Sequence, residues 1–292
     1  MKKRGIYKSQ YGETVLTELY DRQLRSLNVA YEDLYIETRF GQSHLLKFGN
    51  PNGKPLLIFH GGNNTTPFTI LFAGFSFLFK HFCVYAVDTI GHPGKSAQTV
   101  LAAKSMEYGE WASDVIDGLG FQKMTCIGGS FGGGILVKLM CYAPEKIEKA
   151  VLIVPAGIAN VSTFNIIMKM GIPMFFYILT RKDYWLKKTF LPMAIHEENI
   201  TAEDYEMARC AFEHVRVKAE MPSNVKMGKL KNCNAPVFLI PAEKDCMFPG
   251  KKIIEKAEKA LPNLKIHLLQ NQGHMFKLSD DVMNMIKKFI DE

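Results

Sequence analysis

Apolar residues recur along this chain in two distinct rhythms. Short runs without alternation, at 55–59, 83–87, 124–127, 150–154 and 237–240, suit strands buried on both faces, as in a parallel sheet. A more mixed run at 264–269 predicts a further strand. Earlier, 33–39 and 43–48 flank a turn at Gly41 and precede the cluster Asn50-Pro51-Asn52-Gly53, which predicts an opening antiparallel hairpin. Between these runs the period changes to that of a helix, at 66–80, 105–119, 133–142, 251–261 and 279–290, and 13–27 reads as an amphipathic helix packed on the body. Strand and helix alternate from about residue 55 to the end, except between Pro155 and Pro236, where helix-like stretches rich in Met, Phe and Tyr replace buried strands. The expected class is α/β: an open, mostly parallel sheet of eight strands, helices on both faces and an inserted helical cap. The expected division is a core over 1–157 and 234–292 and a cap over 158–233.

The chemistry concentrates at the ends of these strands. Gly128-Gly129-Ser130-Phe131-Gly132 fits G-x-S-x-G, follows one predicted strand and opens a helix. A nucleophile on so sharp a turn adopts a strained backbone, and residues two away on either side must be small to avoid collision. The turn also sets the hydroxyl at a helix N-terminus, where N–H groups and the macrodipole favour developing negative charge. A serine hydroxyl is a weak nucleophile without a base, so a histidine and a carboxylate are needed at the same sheet edge. Both follow later strands, Asp245 after 237–240 and His274 after 264–269, and the order Ser, Asp, His goes with a strand-to-helix nucleophile. Glu243 competes with Asp245, which lies further beyond the strand end. Candidate oxyanion donors are the backbone N–H groups of Phe131 and of Gly62 in His60-Gly61-Gly62-Asn63-Asn64, with Asn63 as an alternative. His60 reads as a structural residue that holds its loop.

Composition narrows the function classes. With 36 basic and 29 acidic residues the net charge is +7, and the basic residues are spread out apart from the Met1–Arg4 start. No basic stripe interleaves with aromatics, which argues against nucleic-acid binding. The apolar runs 68–79 and 172–179 fall short of the ~20 residues a spanning helix needs. No apolar signal segment follows the basic start, so the expectation is a cytoplasmic protein with no membrane insertion. Six cysteines occur singly, which reads as reduced thiols.

These segments together resemble the α/β-hydrolase superfamily from about residue 30 to the C-terminus: His60-Gly61-Gly62, the 88–96 loop, Gly128-Gly129-Ser130-Phe131-Gly132, Asp245 and Gly273-His274 stand in one order. The 88–96 loop resembles D-x-x-G-x-G-x-S, with Gly91, Gly94 and Ser96 in place and His92-Pro93 lengthening one interval by a residue. Within the superfamily the chain is most similar to capped bacterial carboxylesterases. The resemblance implies a Ser130-Asp245-His274 triad, an acyl-enzyme, no metal or organic cofactor, and a small-molecule ester as partner of a monomer or homodimer. The Met- and Phe-rich cap reads either as the packing face of its helices or as an apolar wall over the site, and for the wall Phe175 and Phe176, with Asn63, Met247, Phe248 and Met275, are the candidate substrate contacts. Two other uses of the same triad are carbon–carbon hydrolysis and N-terminal peptide cleavage. For the latter the cap offers Glu197, Glu198, Glu203, Asp204, Glu206 and Glu213 to a free amine, although Asn63 and Phe131 depart from the prolyl iminopeptidase pattern. A non-enzymatic receptor ordinarily carries a damaged triad, and this one is intact.

Overall fold

The computed structural model describes residues 5–216 and 220–292, so the basic Met1–Arg4 start lies outside the described residues. Eight strands, β1 (Tyr31–Thr38), β2 (Gly41–Gly49), β3 (Lys54–Phe59), β4 (Phe82–Val87), β5 (Met124–Gly129), β6 (Ile147–Ile153), β7 (Val237–Ile240) and β8 (Leu264–Ile266), form one sheet in the order β1-β2-β4-β3-β5-β6-β7-β8. The β1–β2 hairpin and the β2–β4 pairing are antiparallel, and every pairing from β4 to β8 is parallel. Pairing of Phe59 with Gly128 and of Gly129 with Ile153 brings the carboxyl ends of β3, β5 and β6 side by side.

The unbroken apolar runs are explained by burial on both sides. In β3, Leu57 and Phe59 enter one core layer while Leu56 and Ile58 enter the other, the alternation of a pleated strand. The N-terminal helix α1 (Gln10–Ser26) and α2 (Thr66–Phe72) lie on the second side, and α3 (Glu107–Gly118) and α4 (Phe131–Tyr142) on the first. The expected helix over 66–80 is interrupted: Gly74 adopts φ 66° and a separate 3-10 turn follows at Phe75–Leu78.

The region between β6 and β7 carries α5 (Thr163–Ile166), α6 (Ile172–Thr180), α7 (Asp183–Ala194), α8 (Ala202–His214) and α9 (Met227–Leu230). A π-helical stretch at Ile167–Gly171 joins α5 to α6, so that Thr163–Thr180 is one continuous helix, longer than the 172–179 run suggested. Pro173 has no N–H to bond the carbonyl of Lys169 and its ring crowds that turn, a reason for the wider winding. Val225, Leu230 and Cys233 are already buried in the α3–α4 layer. Ile158 and Ala159 are buried in the same layer, and on this packing we propose that the cap begins after Ala159 and ends before Val225. Helix α1 ties the cap to the core: Leu16 and Leu19 share an apolar cluster with Phe68 of α2 and with Met207 and Ala211 of α8.

The chain closes with α10 (Gly250–Glu258) on the first side of the sheet and α11 (Asp280–Asp291) on the second. Ser279 caps α11 by accepting from the Val282 N–H, and Val282, Ile286, Phe289 and Ile290 form its buried face. Ile286→Ala is expected to lower the unfolding free energy by about 3 kcal/mol in urea titrations. Exposed Asn284→Ala is expected to change it by less than about 0.5 kcal/mol.

Candidate active site

Ser130 is the single residue between β5 and α4, with φ 52° and ψ −115°. Two things hold it there. Its N–H donates to the Ile153 carbonyl (2.9 Å), while its own carbonyl accepts from the N–H groups of Gly134 (3.1 Å) and Ala156 (3.0 Å). The flanking glycines answer a close approach: a Cβ on Gly132 would stand 2.2 Å from the Phe59 carbonyl oxygen, and one on Gly128 would stand 2.4 Å from that of Gly132.

The structure brings Ser130, His274 and Asp245 into one chain of hydrogen bonds. Ser130 Oγ lies 2.9 Å from His274 Nε2, and His274 Nδ1 lies 2.8 Å from Asp245 Oδ2. A carboxylate only accepts, so Nδ1 carries the proton and Nε2 is the free acceptor facing the serine hydroxyl. The second carboxylate oxygen, Asp245 Oδ1, accepts from the N–H groups of Met247 (2.7 Å) and Phe248 (2.9 Å). Glu243 is elsewhere, accepting from the Asn271 N–H at 3.0 Å.

The loop after β3 meets the start of α4. A Cβ on Gly62 would stand 3.2 Å from Phe131 Cδ2. Among the described residues, the N–H groups of Gly62 and Phe131 make no hydrogen bond within the protein. His60 behind them is buried, with Nδ1–H donating to the Gly61 carbonyl (2.7 Å) and Nε2 accepting from the Thr89 N–H (2.8 Å). Burial pushes its pKa down, against the opposing charge of Asp88. The 88–96 loop is held by Ser96, whose hydroxyl donates to the Asp88 carbonyl (2.7 Å) and accepts from the His44 N–H (2.8 Å). The His92 ring in this loop lies edge-on to Phe131, with centroids 4.5 Å apart. Burial, reinforced by the nearby His60, holds His92 well below the ordinary histidine range.

A cavity of about 440 Å³ opens over Ser130 and His274. Gly62, Asn63, Met247 and Met275 line it, as do Met170 and Met174 from the cap. Three expected contacts are corrected. Phe175 is exposed and Phe176 stacks on Trp185 (4.7 Å), both off the cavity wall. The reason is helical phase: Ile166, Met170 and Met174 share the inward face at i, i+4 and i+8, and Phe175 is a further ~100° round. Phe248 is buried behind the histidine, its ring edge-on to that of His274 at 5.2 Å. Gly273 answers a close approach of its own: a Cβ there would stand 2.2 Å from the carbonyl oxygen of Met193 in the cap. Sequence reasoning missed His92, Phe68, Thr189, Phe190, Met193 and Val154 on the wall. Val154, at φ 40°, is a β-branched residue in a region such residues avoid, and no local pattern announces it.

An eight-stranded sheet with a serine on a strand-to-helix turn and an acid and a histidine after later strands defines a hydrolase-type site. The chain matches the family model for the α/β-hydrolase fold over residues 54–229 and belongs to that family. It is 26% identical over 279 residues to the carboxylesterase YbfK of Bacillus subtilis, covering 89% of this chain and 88% of that one. Among solved structures it is similar to the naproxen esterase (carboxylesterase NP) of Bacillus subtilis, with TM-score 0.80, 19% identity, and coverage of 97% and 99% of the two chains. The crystal structure of CesB (YbfK) from the same organism superposes with TM-score 0.78 at 22% identity, covering 97% and 99%. At these identities the structural likeness shows the shared fold.

Two measurements test this description of the site. Glycine relieves the positive φ that alanine retains, so Ser130→Gly is expected to be more stable than Ser130→Ala by about 1 kcal/mol in thermal or urea unfolding. For the buried histidines, the folded pKa lies below the unfolded value of 6.5. The unfolded chain therefore binds more protons in the window below it, and stability falls as pH falls. His92→Phe removes one such group. Urea unfolding from about pH 7.5 to about pH 5.5 is expected to lose less stability in this variant than in the wild type, by up to about 1.4 kcal/mol per pH unit.

Proposed function

We propose that the protein is a serine carboxylesterase for small to medium, largely apolar esters. The observation that carries the reading is the Ser130–His274–Asp245 chain opening on a cavity walled by Met, Phe and Ile side chains. His274 Nε2 takes the Ser130 proton as Oγ attacks the ester carbonyl, and Asp245 orients the ring and balances the imidazolium. The N–H groups of Phe131 and Gly62 receive the oxyanion, and each such donor is worth about 10²–10³ in rate. His274 then protonates the departing alcohol. An acyl-enzyme remains on Ser130, and water activated by the same imidazole releases the acid. The relatives named as carboxylesterases support the same bond class.

The ester reading is favoured over N-terminal peptide cleavage by the cap carboxylates. Of the six acids available, only Asp204 lines the cavity, and its Oδ2 is occupied by the Thr201 N–H and hydroxyl, both at 2.8 Å. Burial, first among its influences, raises its pKa, which further weakens it as an anchor for an ammonium group.

Hydrolysis of p-nitrophenyl esters of increasing acyl length by the purified protein is the test. Turnover is expected to fall by at least about 10⁴-fold in Ser130→Ala, and folded wild type inactive across the series would contradict the proposal. Met170 sits on the cavity wall, so Met170→Trp is expected to shift the optimum towards shorter acyl groups. An optimum that does not move would place the acyl chain elsewhere.

A further inference from the structure

The Thr163–Thr180 helix is apolar around most of its circumference, and the protein uses one side of it. Ile166, Met170 and Met174 face the cavity, and Tyr177 is buried against α7 and α8. On the other side Phe164, Met168, Ile172, Phe175 and Leu179 follow one another at helical spacing and stand in solvent. Phe164 and Leu179 are each 69% exposed and Phe175 is 60% exposed. The apolar surface continues through Phe176, stacked on Trp185, to Tyr184, which is edge-on to Trp185 at 5.0 Å. From the sizes of these side chains the bare area is roughly 600 Å², at the upper limit of what a soluble monomer leaves uncovered. Among the described residues this is the one helix long and apolar enough, by length and composition, to cross a membrane.

Charge indicates what covers this face. No Asp or Glu occurs between Glu148 and Asp183, and Asp183 is paired with Arg209 at 2.8 Å. Arg181 and Lys187 have partners in Glu213 and Glu197. Lys169, Lys182 and Lys188, by contrast, form no ion pair among the described residues. The Lys188 ammonium lies 5.6 Å over the Tyr184 ring, at the edge of the apolar surface. We propose that this cap face docks on an anionic lipid surface, the Phe164–Leu179 stripe entering the acyl boundary and the three lysines meeting headgroup phosphates. A second copy of the chain is the weaker fit. The stripe offers less than the ~800 Å² per partner of a standard interface, and pairing it with itself would oppose like charges. Docking does not depend on the chemistry at Ser130, although the same helix roofs the cavity on its other face.

Flotation of the full-length protein with vesicles tests the proposal. One set of vesicles contains phosphatidylcholine alone, the other equal parts of phosphatidylcholine and phosphatidylglycerol. Wild type is expected to float with the anionic vesicles only. The bound fraction is expected to fall at least about tenfold in Phe164→Ser/Phe175→Ser/Leu179→Ser, with the melting temperature and hydrolysis of a soluble short-chain ester unchanged. Removing the lysines, as Lys169→Ala, Lys182→Ala and Lys188→Ala, is expected to weaken binding roughly fivefold each. Absence of flotation by folded wild type, equal flotation with both vesicle types, or equal flotation of wild type and triple-serine variant would each overturn the proposal. So would a dimer in sedimentation that becomes monomeric in the serine variant without vesicle binding, which would assign the face to a second copy. Vesicle binding by a protein inactive on every ester would leave the docking standing and sink the esterase reading alone.

Discussion

The turn at Ser130 is the constraint on which the rest of the molecule depends. A residue other than glycine at φ 52° and ψ −115° is held against its own preference, and only surrounding structure can hold it. That structure is the middle of the sheet. Ile153 at the end of β6 and Ala156 beyond it bond the serine backbone, and the Phe59 carbonyl at the end of β3 presses so close to Gly132 that no side chain fits between them. The cost of the strained turn is borne by the most buried strands, and the result is a hydroxyl fixed at the mouth of a cavity with the first N–H groups of α4 beside it.

His274 is supported from the other half of the molecule. Both Asp245 oxygens are occupied, one by His274 and one by two backbone donors, which leaves the carboxylate little freedom to swing away. Phe248 lies behind the His274 ring, and Met193 of the cap holds the residues on either side of it, its carbonyl accepting from the Met275 N–H at 3.0 Å and lying against Gly273. The cap is therefore attached directly to the loop that carries the histidine. Helix α1 adds a second attachment through α8, so the cap is packed against the core on two sides, while the outer face of Thr163–Thr180 is exposed.

Much of this was legible in the residues because the signals are local. Strands buried on both faces have unbroken apolar runs, and the turn residues around Ser130 are dictated by steric contact within a few positions, so the sheet and the Ser130-Asp245-His274 arrangement follow from reading the chain. What was not legible depends on phase or on distant contact. The face of the cap helix that meets the cavity could be taken from the Ile166, Met170, Met174 spacing, but the π turn ahead of Pro173 and the abundance of Phe obscured it. Phe248 looked like cavity wall because it follows Asp245, whereas tertiary packing turns it behind the ring of His274. Gly273 was legible as a special position, but its reason, a carbonyl arriving from the cap, is a long-range contact that no local pattern contains.

The central claim is that Ser130 is a nucleophile activated by His274. Reaction of the folded protein with a fluorophosphonate, followed by intact-mass measurement and peptide mapping, tests it most directly, because the reagent reports nucleophilicity without requiring the right substrate. The account predicts one adduct per chain, located on Ser130, absent in Ser130→Ala and formed more slowly by at least about a hundredfold in His274→Ala. A folded wild-type protein that remains unlabelled, or that carries its adduct on another residue, would contradict it.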